Sequence, residues 1–176
     1  MTLAGIHIRD ADAPLWAMVA SVVALAAALG SQYLGGLAPC DLCLWQRVPH
    51  AAVIVIGIGA LLWFQGPRER KLLTWLAAIT FAIGAGIALY HVGVEQKWLS
   101  GLTTCSGPAS LNAAQTIEEL RTQLLGTGVV RCDEIPWELF SISIAGWNAL
   151  FSLALMLFCG AAAARPVAPQ TIEDRE

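Results

Sequence analysis

Four stretches of the chain run without a single Asp, Glu, Lys or Arg: Ala13–Cys40, Val48–Pro67, Leu72–Val94 and Leu139–Ala164. Each is long enough to cross a hydrocarbon core, which takes about 20 residues as a helix. None of the intervening segments alternates apolar and polar positions with period 2, which argues against a barrel. The pattern predicts an all-α membrane protein, a four-transmembrane-helix bundle with helices near 14–34, 44–64, 72–92 and 139–161. Loops at 35–43 and 93–138 lie on one side, and a tail at 162–176 on the other. The whole chain, 1–176, reads as a single membrane domain. The first span is too long for the apolar core of a signal peptide and follows an acidic Asp10–Asp12 segment, so it is expected to be retained.

Tryptophans 16, 45, 63, 75 and 137 fall at or near the predicted span ends, as expected of an aromatic belt. Trp147 lies inside the last span and is expected in the core. The cations set an orientation. Arg9, Arg68, Arg70, Lys71, Arg165 and Arg175 share one side; Arg47, Lys97, Arg121 and Arg131 are spread over a longer stretch on the other. The positive-inside rule then places both termini in the cytoplasm. Composition agrees with a membrane class: 57% of the 176 residues are hydrophobic and 13% charged, against about 25% charged in soluble domains. A net charge of −3 offers no basic footprint for nucleic acid. No internal repeat is evident.

The chemistry sits in the cysteines. Cys40, Cys43, Cys105 and Cys132 all fall on the outer side, and in a Gram-negative bacterium that side is the periplasm, where disulfides persist. Cys159 lies within the last span and reads as a small buried apolar residue. Three uses of the outer cysteines stand open. A zinc site of two close pairs is disfavoured because Cys105 and Cys132 are far apart in sequence, so no metal is expected. Static disulfides suit Cys105–Cys132, but a bridge across Cys40-x-x-Cys43 closes too small a loop to add much stability. A redox relay suits both pairs. Pro39 leads into a helix whose positive end favours thiolates, and Arg47 follows Cys43 by one helical turn on the same face. Arg47 reads either as the partner of that thiolate or as a snorkelling anchor at the interface.

The segment "CDLCLWQR" (40–47) resembles the C-x-L-C-x-x-[QE]-R motif of the disulfide bond formation protein B (DsbB) family, inner-membrane thiol:quinone oxidoreductases. "YHVGVEQKW" (90–98), "CDEIPWELF" (132–140), "AGWNALFSL" (145–153) and the distant second cysteine pair are similar to family segments as well. The resemblance covers about residues 14–160. It implies an enzyme, a protein-dithiol:quinone oxidoreductase of the bacterial inner membrane that reoxidises a DsbA-like periplasmic thioredoxin-fold protein. The implied path runs from the partner to the Cys105–Cys132 disulfide, through a transient Cys40–Cys132 bridge, to Cys40–Cys43 and on to ubiquinone, with menaquinone as the alternative. Cys43 and Arg47 would face the quinone ring. A DsbA-type potential near −120 mV against about −300 mV for a structural disulfide makes that transfer uphill by about 8 kcal/mol. Unusually oxidising cysteine pairs, or a stronger terminal acceptor, are therefore required.

His91 and Glu95, at the end of the third span, are expected near the ring, with an interfacial histidine bonded to backbone as the other reading of His91. His50, about two turns into the second helix, is a further candidate for the head-group pocket. Between Cys105 and Cys132, Ile117, Leu120, Leu124 and Leu125 recur at helical spacing, predicting a short amphipathic helix on the membrane surface or packing within the loop. Other readings are a DsbB-like paralogue with another thiol partner and a non-catalytic four-helix protein with structural disulfides.

Overall fold

The computed structural model describes residues 2–3, 6–7, 12–64, 66–101 and 131–166. Four helices long and apolar enough to span a membrane make up most of it: α1 Ala13–Tyr33, α2 Asp41–Leu62, α3 Pro67–Glu95 and α4 Ile144–Ala164. Two short antiparallel pairs accompany them, β1 Thr2–Leu3 with β2 Ile6–His7 and β3 Glu138–Leu139 with β4 Ile142–Ser143.

Three helix starts differ from the sequence expectation, each for a local reason, and α3 and α4 also each end three residues later than expected, at Glu95 and Ala164. α2 begins at Asp41 rather than near 44, because the Cys40 sulfur accepts the Cys43 backbone N–H and so caps the helix. α3 begins at Pro67, where the missing proline N–H costs nothing, and its Gly66 N–H donates to Glu69. α4 begins at Ile144 rather than near 139, since the 138–143 segment turns back on itself. Phe140 and Ser141 both adopt positive φ, 53° and 60°, as a two-residue hairpin turn requires, and Ser143 then caps α4 by accepting the Gly146 N–H. The predicted amphipathic helix between Cys105 and Cys132 lies outside the described residues, as does Cys105.

The helices are not amphipathic in the aqueous sense. Their outer faces carry Val22, Val55, Leu89 and Leu157, all exposed and lipid-compatible, while small residues meet at the seams. α3 packs most extensively on α4, where Ala85, Ala88, Ala145 and Ala149 are buried. Such small side chains let backbones approach where lipid supplies no hydrophobic drive. Pro49 sits within α2 and forfeits one ladder hydrogen bond. Gly84 of α3 receives its ring, since a Cβ there would stand 3.1 Å from Pro49 Cβ. Cys159 is fully buried beside Val53, Ala77 and Phe81, as a small core residue.

α1 packs on α2 and α2 on α3, whereas α1 and α4 scarcely touch. At one end, Arg70 pairs with Asp12 at 3.1 Å and Lys71 donates to the Arg165 carbonyl. Cys40, Cys43 and Cys132 occupy the opposite end. Trp147, expected in the core, is 39% exposed; its indole N–H donates to the Leu139 carbonyl of the hairpin, which draws the ring outward.

Candidate functional site

Cys40 is the N-cap of α2 and Cys43 lies in its first turn, so one helical turn brings the two sulfurs to 2.9 Å, with the Cys40 thiol donating to Cys43 Sγ. That hydrogen bond, reinforced by burial, pushes the Cys40 thiol up to about 12. The sulfurs need approach by only about 0.9 Å to reach disulfide length. Cys40 and Cys132 are both buried in one apolar cluster with Leu42 and Val94, against which Cys43 and Tyr90 pack. Loop and helix cysteines therefore meet at the same end of the bundle. Beside Cys132, Arg131 forms a two-pronged ion pair with Asp133, at 2.7 and 2.9 Å, which holds the Asp133 carboxyl below the usual range.

On the far side of the pair lies a cavity of about 640 Å³ between α1, α2 and α4, in the gap left where α1 and α4 fail to pack. Its walls are mainly apolar, from Val23 and Ala27 of α1 to Phe151 of α4. Its polar groups come from Ser31, Cys43, Gln46, Arg47, His50 and Asn148. The size and the few convergent polar groups suit a small apolar ligand with polar edges. Arg47 points across to α1: Nη1 donates to Gln32 Oε1 at 2.8 Å and Nη2 to the Ala28 carbonyl at 3.5 Å. The guanidinium thus lines the same wall as Cys43 while its hydrogen bonds go to α1 and not to the Cys43 sulfur.

His91 and Glu95 do not line this cavity. They stand behind the cysteine pair on α3, buried, with His91 Nε2 at 3.6 Å from Cys40 Sγ and 3.9 Å from Glu95 Oε1. Ser143 Oγ donates to Glu95 Oε2 and ties the carboxylate to the start of α4. Cys40, Cys43 and His91 present three ligand atoms within 4.8 Å of one another.

A buried chain of hydrogen bonds joins the two sides. His91 Nδ1 meets Gln46 Nε2 at 2.6 Å, Asn148 Nδ2 donates to Gln46 Oε1 at 2.6 Å, and His50 Nε2 meets Asn148 Oδ1 at 3.0 Å. His50 Nδ1 ends the chain on Ser21 Oγ at 3.4 Å. With Asn148 donating to Gln46, its oxygen is left to accept from His50. The sequence reading singled out His50 but gave no role to Gln32, Gln46 or Asn148. Their signal was available, since a polar amide inside an apolar span is costly unless it has a partner.

The family model for "Disulfide bond formation protein DsbB" matches residues 11–162. Curated relatives named "Disulfide bond formation protein B" are similar over most of the chain. The relative from Xanthomonas axonopodis pv. citri (strain 306) is 35% identical over 140 residues, 76% of this chain and 78% of its own length. That from Xylella fastidiosa (strain 9a5c) is 34% identical over 136 residues, with the same coverage. No solved structure gives a significant match.

Proposed function

The chain belongs to the disulfide bond formation protein B family, and from that premise we propose that it carries electrons from the reduced cysteine pair of a DsbA-like thioredoxin-fold protein to membrane quinone. One observation supports this above the others. Cys43 and Arg47 line an apolar cavity of about 640 Å³, while Cys40 of the same pair is buried in the cluster that holds Cys132. The pair therefore faces a cavity on one side, which suits a lipid-borne ligand, and a loop cysteine on the other.

The steps follow thiol–disulfide exchange. A partner thiolate attacks the Cys105–Cys132 disulfide at Cys105 and frees Cys132 as a thiolate; the partner's second thiol then closes its own disulfide and releases Cys105. Cys132 attacks Cys40, forming Cys40–Cys132 and releasing Cys43 as a thiolate. Cys105 attacks Cys132, which restores Cys105–Cys132 and leaves Cys40 and Cys43 reduced. Quinone, ubiquinone or menaquinone, accepts the two electrons and two protons that the pair loses as it closes again. Cys43 delivers them from the cavity wall, and Arg47, braced by Gln32 and Ala28, offers positive charge where negative charge develops. In this geometry His91 reaches Cys40 from behind the pair, and Glu95 stands beside His91.

The same reading assigns the cysteine end to the periplasm and the Arg68–Lys71 end, with both termini, to the cytoplasm of a bacterial inner membrane. Purified protein supplied with ubiquinone-1 and a reduced DsbA should consume quinone only when both are present. Partner oxidation that proceeds at the same rate without quinone, or none with it, would overturn the assignment. Mixed with the oxidised partner, Cys132→Ser should trap a reductant-sensitive adduct, because the Cys105 thiolate opens the partner's disulfide and no Cys132 remains to displace it.

A further inference from the structure

His91 stands 3.6 Å from Cys40 Sγ, and the thiols it faces exist only when the pair is reduced. We propose that Cys40, Cys43 and His91 form a binding site for a thiophilic divalent cation of the zinc class, assembled in the dithiol state and abolished by the disulfide. This rests on the side-chain geometry and is independent of the quinone reading.

The distances suit it. Tetrahedral zinc, with Zn–S near 2.3 Å and Zn–N near 2.1 Å, sets a sulfur about 3.6 Å from the imidazole nitrogen and the two sulfurs about 3.8 Å apart. Cys40 Sγ already stands 3.6 Å from His91 Nε2. The sulfurs, 2.9 Å apart, must separate by about 0.9 Å, a side-chain rotation at Cys43, which is only partly buried. Two thiolates neutralise the dication, which suits a site where His91 and Cys40 are 3% and 5% exposed. Glu95 Oε1 stands 3.9 Å from His91 Nε2, and Ser143 holds its other oxygen, so the carboxylate lies beside the imidazole and outside the three-atom ligand set.

The surroundings also provide the outer contact that metal-bound histidines use. Metal on Nε2 places the imidazole proton on Nδ1, against the Gln46 amide. A half-turn of that amide presents Oε1 to accept it. A matching half-turn of Asn148 keeps the chain bonded, and His50 Nδ1–H then donates to Ser21. Every member keeps its partner with donor and acceptor exchanged.

Binding exchanges the two thiol protons for the cation and moves no electrons. Closing the disulfide requires the same two sulfurs, so metal and disulfide exclude each other, and free zinc would hold the pair reduced.

Cobalt(II) reports such a site by thiolate-to-metal charge transfer in the near ultraviolet and by tetrahedral d–d bands. The full chain carrying Cys105→Ser and Cys132→Ser, reduced under anaerobic conditions in detergent, should bind one Co2+ per chain with both signatures. Zn2+ should displace it, and oxidising the pair should abolish binding. His91→Ala should weaken Co2+ binding by at least about tenfold, and Cys43→Ser should remove the tetrahedral bands. Reduced protein without those bands overturns the proposal, and so does His91→Ala binding with undiminished affinity. If His91→Ala does not fold, unchanged spectra in Cys43→Ser overturn it equally.

Discussion

Asn148→Leu tests the buried chain of hydrogen bonds that ties α4 to α2. Asn148 donates to Gln46 Oε1 at 2.6 Å and accepts from His50 Nε2 at 3.0 Å. Leucine occupies similar volume and offers neither bond. Interhelical hydrogen bonds in membranes average about 0.6 kcal/mol and reach about 1.7, so losing two costs about 1–3 kcal/mol. His50 is 3% exposed and Gln46 6%; neither can turn to water for compensation, which favours the upper half of that range. At about 2–4 °C per kcal/mol for a chain of this size, the midpoint should fall by several degrees. The assay is thermal unfolding in detergent micelles, followed by helical circular dichroism and by alkylation of Cys159, which is fully buried until the bundle opens. Gln46→Leu completes a double-mutant cycle. Because removing one partner strands the other, the second substitution should cost less than it does alone, with a coupling of at least about 0.5 kcal/mol. A midpoint for Asn148→Leu within about 1 °C of the parent, or strictly additive costs, would refute the reasoning.

Three further outcomes are expected. Gly57→Ala places a Cβ on Met18 Cβ across the α1–α2 seam and should destabilise by about 1–3 kcal/mol in the same thermal assay. Cys40, held near 12 chiefly by the hydrogen bond it donates to Cys43, stays protonated at neutral pH and should resist iodoacetamide. Cys43→Ala removes that bond, so labelling of Cys40, read by mass spectrometry, should begin at lower pH. Arg131→Ala should return the Asp133 carboxyl, depressed by Arg131, to its ordinary range, as carbon NMR can follow. Since the folded value lies below the unfolded one, whatever stability this pair adds is present above about pH 4 and fades as the pH falls.

Much of the fold was legible because a bilayer imposes a coarse rule. A helix must be about 20 residues long and free of unpaired charge, and the four charge-free stretches each became one. The ends were less legible because they are set by capping: a cysteine sulfur caps α2, and a strained two-residue turn at Phe140 and Ser141 delays α4. Trp147 was misplaced because its hydrogen bond to Leu139 depends on that hairpin, which no periodicity announces.

The sequence by itself determined the pairing of Cys40 with Cys43. Spacing of three along the chain at a helix start brings Cys40 and Cys43 together whatever surrounds them, because the contact is local. It also placed Arg47 on the same helix face, by helical periodicity. Only the tertiary structure decided what each side of the pair meets. The cavity exists because α1 and α4 fail to pack, and His91 faces Cys40 because α3 lies behind α2. Likewise, Gln46, Asn148 and His50 form one chain because polar side chains on separate helices of an apolar bundle must satisfy one another. Contacts across long sequence separation depend on how the helices dock, and the apolar pattern that specifies each span carries no information about its neighbours.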